Sequence, residues 1–449
     1  MSAQWYTPRP PFRHGRISST VKAEAYHHVK DTKSRPWLDE LLEELSRTQP
    51  GVRVDAAAES LQEAGGAVLL SVKTGDSMWL GVAGPAGSCP GLRSLQEFGA
   101  AGAVLRLCPC DAANAAELRR LLAFTKPARI AGASIALIVD DPLAAAPPGV
   151  MEACLDCAVT PLFRVPFGLP GVDDRLRAAS SLDAGAWAAF RQGFHQPWGL
   201  GAVCILAAPQ VQMALTAGCT LITLAAEDAL HEEYGSLGRS EVKTAYDRLD
   251  ATYRADIEKH YLGRSFAVAG GAVRFSELEL RRAALINGEI IDLCAGLFAT
   301  VLRTRGKGAF DVALSFADGK IPTSPQSHLF VALEARRRKM PLSAIAPRLD
   351  VDGMPETIDA FKGSLEAHAS IAAALGHRLS LRTASLPEEC LAAIGRIAPA
   401  GYYLCLGDIV ADAAYDAVKE DENAVTARVR HLFAALGVQK KTARPGARG

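Results

Sequence analysis

The sequence predicts a TIM-type (β/α)8 barrel with a small N-terminal α/β subdomain and basic arms at both ends. Three observations point to it. From Ser134 onward eight short apolar runs of strand character recur, and almost every gap between them carries a helical pattern. The runs are near-continuously apolar, which is how parallel strands buried on both faces read. Eight such units over about 275 residues suit a barrel that typically needs about 250. A doubly wound sheet is disfavoured, because no GxGxxG follows a first strand and no Walker A sequence is present.

Taken in order, residues 1–36 hold seven Lys/Arg against two acids, and Pro8, Pro10, Pro11 and Pro36 interrupt any regular element. They read as a flexible basic arm. Residues 37–130 read as the α/β subdomain: strands in AVLLSVKT and MWLGVAG, a helix in LRSLQEF, a strand in AGAVLRLC and a helix in ANAAELRRLLAF. The barrel follows over 131–436, with strands expected at 134–140, 160–166, 202–208, 220–226, 311–317, 343–349, 378–384 and 401–407. A charged helical insertion occupies about 228–308, and the glycine pairs in EAGGAV and AVAGGAV read as turns. The tail 437–449 carries four cations and no acid, a second flexible basic arm.

Composition narrows the class of function. Apolar residues make up 49%, enough for a large core, and 49 Lys+Arg balance 49 Asp+Glu. That balance argues against nucleic-acid binding, and with the cations of the arms set aside the body is net acidic. The arms suit an acidic protein partner or RNA, although solvated tails explain them more simply. No apolar run reaches a membrane span and the N-terminus lacks an apolar signal core, so a soluble cytoplasmic protein is expected, with homo-oligomerisation as the ordinary background. Most of the ten cysteines sit in apolar stretches and read as core. Cys108, Cys110, Cys154 and Cys157 together have the weak spacing of a four-thiolate zinc site, with helical core cysteines as the simpler account of the last two.

Chemistry in such a barrel sits at the C-terminal strand ends. Those ends carry Asp140-Asp141, Glu227-Asp228, Asp318-Gly319-Lys320, Arg348, Arg382 and Asp408, but no histidine directly. Asp318 and Lys320 form a candidate acid/base pair, since a lysine desolvated beside a carboxylate titrates nearer neutrality; a plain Asp-Gly turn is an equally natural reading. Glu227, Asp228 and His231 are candidate ligands for a divalent ion, in a stretch that a solvated acidic loop explains more simply.

The segment from about 263 to 381 adds a resemblance. GRSFAVAGGAVRFSELELRRAALINGEIIDL, then FDVALSFADGKIPTSPQSHLFVALEARRRK, SAIAPRL and FKGSLEAHASIAAALGHRLSL look like the tagaturonate epimerase family, with IPTSPQSHLF followed by EARRRK the most specific part. The resemblance implies a metal-dependent barrel that interconverts tagaturonate and fructuronate. Pro322, Thr323, Ser324, Pro325, His328 and Arg348 match; Arg348, Arg382 and His328 become candidate substrate-binding residues, a guanidinium at a barrel mouth suiting a carboxylate. The departures fall on the chemistry. Where the family carries acids, histidines and lysines, this chain has Ala317 before Asp318, the run Cys204 to Ala207, Ala225 and Ala229 around Asp228, and Arg382-Thr383-Ala384-Ser385. Losing histidines and carboxylates together removes affinity for a divalent ion. The expectation is a divergent member, degenerate for the parental epimerisation, binding no cofactor and serving as a scaffold, regulatory or binding subunit. The alternative is an active epimerase or isomerase acting on a hexuronate-like anion with a divalent metal.

Overall fold

A computed structural model describes residues 36–48, 53–100, 102–168, 171–205, 207–225, 229–305, 310–316, 321–340, 342–349, 357–383, 386–397, 401–406 and 424–438. The basic arm up to residue 35 and the tail from 439 lie outside these residues, as do Glu227, Asp228, Asp318 and Lys320.

Helix α1 (Pro36–Thr48) spaces Leu38, Leu41, Leu42 and Leu45 along one face, and all four are buried. They cover an antiparallel sheet of β1 (Val54–Ala64), β2 (Ala67–Thr74), β3 (Ser77–Gly84), β4 (Gln96–Ala100) and β5 (Ala103–Pro109), in the order β1-β2-β3-β5-β4. The other face, with Leu69, Leu80 and Val82, packs on α2 (Ala112–Leu121) and on Trp187 and Phe190 of the barrel helix α4 (Asp174–Arg191). Cover on both faces buries every residue of β2 except Lys73, although its neighbours run antiparallel. The helix expected in LRSLQEF is absent: Leu95 is 62% exposed and Gln96–Ala100 pair with β5 instead. Asn114 holds the preceding loop, accepting from Arg93 N at 2.8 Å and donating to Arg93 O at 3.0 Å.

The barrel strands follow the predicted runs closely: β6 (Ile135–Asp140), β7 (Val159–Pro166), β8 (Gly199–Ile205), β9 (Leu221–Ala225), β12 (Asp311–Ser315), β13 (Ala344–Ala346), β14 (Arg378–Arg382) and β15 (Tyr402–Cys405). All pair in parallel and the ring closes through β15 on β6 and β9 on β12. Between them run α3 (Pro147–Cys154), α4, α5 (Ala208–Thr216), α9 (Pro325–Arg337), α10 (Ile358–Leu375) and α11 (Glu388–Ile397), with α12 (Ala424–Ala435) after β15. The insertion comprises α6 (Arg239–Asp247), α7 (Ala251–Tyr261), the hairpin β10 (Ser265–Val268) and β11 (Gly271–Arg274), and α8 (Glu277–Arg305). By length and composition α8 is apolar enough to cross a membrane over Glu277–Thr300; here it packs on α5, α6 and α9.

The N-terminal end of the barrel is sealed. Ile130 enters it and packs with Ala136, Leu162, Leu221, Ala313 and Tyr403. The Asp311 carboxylate, with no exposed surface, holds this plug: Oδ1 accepts from Arg129 Nε and Nη2 at 2.9 and 2.7 Å, and Oδ2 from the amides of Ile130 and Ala131 at 2.9 Å each. Arg378 Nη2 adds a bond to Ala131 O at 3.0 Å. Asp311→Asn keeps the size but turns half of the acceptor set into a donor facing donors. It is expected to cost about 1–3 kcal/mol, read as a lower urea midpoint at unchanged slope.

Candidate active site at the barrel mouth

With the lower end plugged, the C-terminal strand ends are where a barrel of this type binds a ligand. Strand alternation turns Asp140, Arg164, Thr223, Ser315, Ser380 and Cys405 inward, because their neighbours Val139, Phe163, Val165, Leu224, Leu314, Leu379 and Leu404 lie in the core between strands and helices. The described interior is therefore polar towards the mouth, and Phe167, at the end of β7, belongs to the outer core and does not fill it. Arg164 pairs across the register with Asp140, Nε to Oδ1 at 2.5 Å and Nη2 to Oδ2 at 2.7 Å, and its Nη2 lies 2.8 Å from Cys405 Sγ. Thr223 is buried, and its hydroxyl has no partner among the described residues. Asp141 is committed to the chain itself, its oxygens accepting from Ala145 N and Ala146 N at 3.0 and 3.1 Å. Burial pushes its carboxyl above the usual range while those amides pull it back.

Two of the predicted arginines come together. Arg382 is the last residue of β14, Arg348 lies two residues beyond β13, and both line one small cavity with Phe361 and Ile394. The Pro-Thr-Ser-Pro turn explains how Arg348 is held. Ser324 caps α9 by accepting from Ser327 N, and Pro325 occupies the first turn, where no amide is needed. Thr323 then clamps the backbone of Arg348, donating N to Arg348 O at 2.8 Å and accepting Arg348 N on Oγ1 at 3.0 Å.

Beside this turn, a cavity of about 270 Å3 lies over Phe316 at the end of β12, between Thr323 and the insertion helix α8. It is lined by Glu232, Glu279, Arg282 and Gln326; Glu279 accepts from Gln326 Nε2 at 3.0 Å, and the buried Nε of Arg282 has no partner among the described residues. A larger cavity, about 840 Å3, opens at the opposite, N-terminal end among Arg129, Asp311, Arg336 and His377. Size favours the second and chemistry the first. Barrels of this type react at their C-terminal ends, and Arg129 and Asp311 are already engaged in the plug.

His328 is a correction. One turn into α9, it faces α10 and is fully buried between His368 and His377, so it makes no contact at the mouth. The zinc reading of the cysteines is corrected too. Cys108 belongs to the core of the antiparallel sheet and Cys154 and Cys157 to the barrel core; Cys154 ends α3 and Cys157 lies beyond it. Two separate cores cannot supply one tetrahedral site. His231 is half-exposed with both ring nitrogens on carboxylates, Nε2 to Glu289 at 2.6 Å and Nδ1 to Glu233 at 3.3 Å; the bond to Glu289 holds its pKa above the ordinary imidazole value. Among the described residues no group of three or more His, Cys, Asp or Glu side chains could hold a metal ion. The described residues thus do not fit a metal centre.

Sequence reading missed Arg164 and Arg282. A charged residue inside the apolar run TPLFRVP was a usable signal for the first, since its register partner ends the preceding strand in Asp140. Arg282 carried none, being one of two adjacent arginines on a helix whose apolar pattern dominates.

The comparisons bear on this barrel. The sequence pattern of the tagaturonate epimerase family matches residues 58–393, three quarters of the chain. The tagaturonate/fructuronate epimerase of Thermotoga maritima is 26% identical over 308 residues, 66% of this chain and 61% of that protein. The chain thus spans somewhat under two thirds of that relative's length. Crystal structures of the fructuronate-tagaturonate epimerase of Cohnella laeviribosi, native and with glycerol, superpose with a TM-score of 0.73 at 22% identity, covering 90% of this chain and 91% of theirs. The fold is shared, and with the match over 58–393 the chain belongs to the tagaturonate epimerase family.

Proposed function

We propose that this protein is an active epimerase of a hexuronate-like keto acid, working at the C-terminal mouth of the barrel. The observation that carries the reading is the pair of arginines, Arg348 and Arg382, at the C-terminal ends of the neighbouring strands β13 and β14. A sugar acid brings a carboxylate, and arginine forks bind carboxylates with two charge-assisted bonds each. Inverting one carbon requires a bond at that carbon to be broken and remade on the opposite face. Whether a C–H or an aldol C–C bond is cleaved, a base takes a proton and an acid returns one. Asp318 and Lys320, in the sequence between β12 and the Pro-Thr-Ser-Pro turn, are assigned that transfer as base and acid. The hydroxyl of Thr223 and the Nε of Arg282, both buried without a partner among the described residues, have hydrogen-bonding capacity for substrate hydroxyls.

The competing reading is a scaffold whose site has been erased at Ala225, Ala229 and Ala317. The polar interior at the mouth counts against it. Steady-state kinetics of Arg348→Ala with tagaturonate test the proposal. Loss of one charge-assisted pair, about 1.5–3 kcal/mol, predicts a KM raised about 10- to 150-fold, with kcat changed less. An unchanged KM would remove Arg348 from the substrate site.

A further inference from the structure

Three histidines from separate parts of the chain form one hydrogen-bonded row beneath the mouth. His377 precedes β14, His328 lies on α9 and His368 on α10; all three are buried. His377 Nε2 and His328 Nε2 are 2.8 Å apart, His328 Nδ1 and His368 Nδ1 are 2.8 Å apart, and His368 Nε2 is 3.0 Å from Thr323 O. The carbonyl end decides every proton. A carbonyl only accepts, so His368 Nε2 carries a hydrogen, and a neutral His368 then leaves Nδ1 bare. His328 must donate from Nδ1, which leaves its Nε2 bare, and His377 must donate from Nε2. The three bonds point one way, from His377 towards Thr323, and such aligned chains polarise one another. Burial, with each ring as a like charge to its neighbour, keeps His328 neutral, and burial pushes His368 and His377 down to about 4. No other tautomer set satisfies the row.

The row ends on the residue that clamps Arg348. Thr323 receives His368 on its carbonyl and holds the Arg348 backbone through its amide and its hydroxyl. We infer that His377, His328 and His368 are positioning residues, a tautomer-locked row that fixes Thr323 and through it sets Arg348 for the substrate carboxylate. The inference rests on the reading of Arg348 as a carboxylate-binding residue. It gives buried polar residues on α9 and α10 a task that apolar side chains of equal size could not perform, since only a directed donor reaches Thr323 O.

The test compares dissociation constants for tagaturonate, by titration calorimetry on the full-length protein, across wild type, Arg348→Ala, His368→Phe and His368→Gln. Phenylalanine keeps the ring and loses both bonds; glutamine restores a donor and an acceptor. The expected result is binding weakened about tenfold in Arg348→Ala and in His368→Phe, with His368→Gln returning most of it. Wild-type affinity in His368→Phe beside an impaired Arg348→Ala would overturn the inference alone. Wild-type affinity in Arg348→Ala would overturn the reading beneath it, and the role of the row with it. If His368→Phe does not fold, nitrogen NMR of histidine-labelled wild-type protein at neutral pH decides. The row requires Nε2–H on His368 and His377 and Nδ1–H on His328; any other protonation pattern overturns it.

Discussion

Glu334→Ala is expected to lower the unfolding free energy by about 1–3 kcal/mol, because it removes a buried carboxylate that accepts from two partly exposed arginines and leaves the Tyr261 hydroxyl without its acceptor. Glu334 opens the EARRRK motif on the inner face of α9 and is fully buried. Its oxygens accept from Arg337 Nε and Nη2 at 2.8 and 2.9 Å, from Arg338 Nε at 3.3 Å and from the Tyr261 hydroxyl. Arg337 also reaches Asp256 on α7, and Arg338 reaches Asp292 on α8. One carboxylate therefore ties α7 and α8 of the insertion to the barrel helix α9. Burial alone would raise the Glu334 carboxyl, but the Arg337 and Tyr261 donors outweigh it and hold it below the ordinary range. Its contribution is thus present above the unfolded carboxyl pKa and is lost as pH falls through the folded value. Denaturant unfolding at pH 7 checks the size of the effect. Glu334→Gln, which keeps two acceptor lone pairs but no charge, should lose less than alanine; equal stability of alanine and wild type would mean that the network contributes nothing.

The buried histidines predict a second large effect, at a different pH. Burial pushes His368 and His377 down to about 4 in the folded protein and holds His328 well below the ordinary imidazole value, against about 6.5 for the unfolded chain. A folded value below the unfolded one means that the unfolded state takes up protons first, so stability is lost as pH falls from about 6.5 towards 4. Each ring contributes a slope of about 1.4 kcal/mol per pH unit there, about 4 for the three together. The carboxylates shifted by ion pairs act only below about 4.5. His231 acts on the other side: its raised value adds stability that is complete below 6.5 and declines as pH rises through the folded pKa. Unfolding free energies at pH 6.5, 5.5 and 4.5 measure the slope, and His377→Gln should remove about one proton's worth of it. A flat profile over that interval would mean that the three rings are solvated.

The barrel was legible because its strands are buried on both faces and their apolar runs are nearly unbroken; each observed strand lies within two or three residues of its predicted limits at either end. β1 was not, since VDAAAESLQEA mixes polar and small residues on a strand that is only partly covered. β4 was mistaken for a helix because Leu92 and Leu95 imitate a helical repeat, although only Leu92 is buried. At the site, Arg348 and Arg382 could be read from their places after apolar strands. The histidine row could not. Its members stand 40 and 49 residues apart from His328, and only the packing of α9 on α10 brings them into line. The same distance effect misplaced His328, which stands four residues past the cap Ser324 and so turns away from the mouth.

The most direct measurement is turnover itself. Purified protein, as isolated and after addition of Mn, Ni or Zn ions, is incubated with tagaturonate while fructuronate is followed by proton NMR. Interconversion to the same equilibrium ratio from either sugar acid is expected, slowed at sub-saturating substrate in Arg348→Ala. No interconversion by the wild-type protein under any of these conditions, with the fold intact, would contradict it and leave the erased-site scaffold as the better reading.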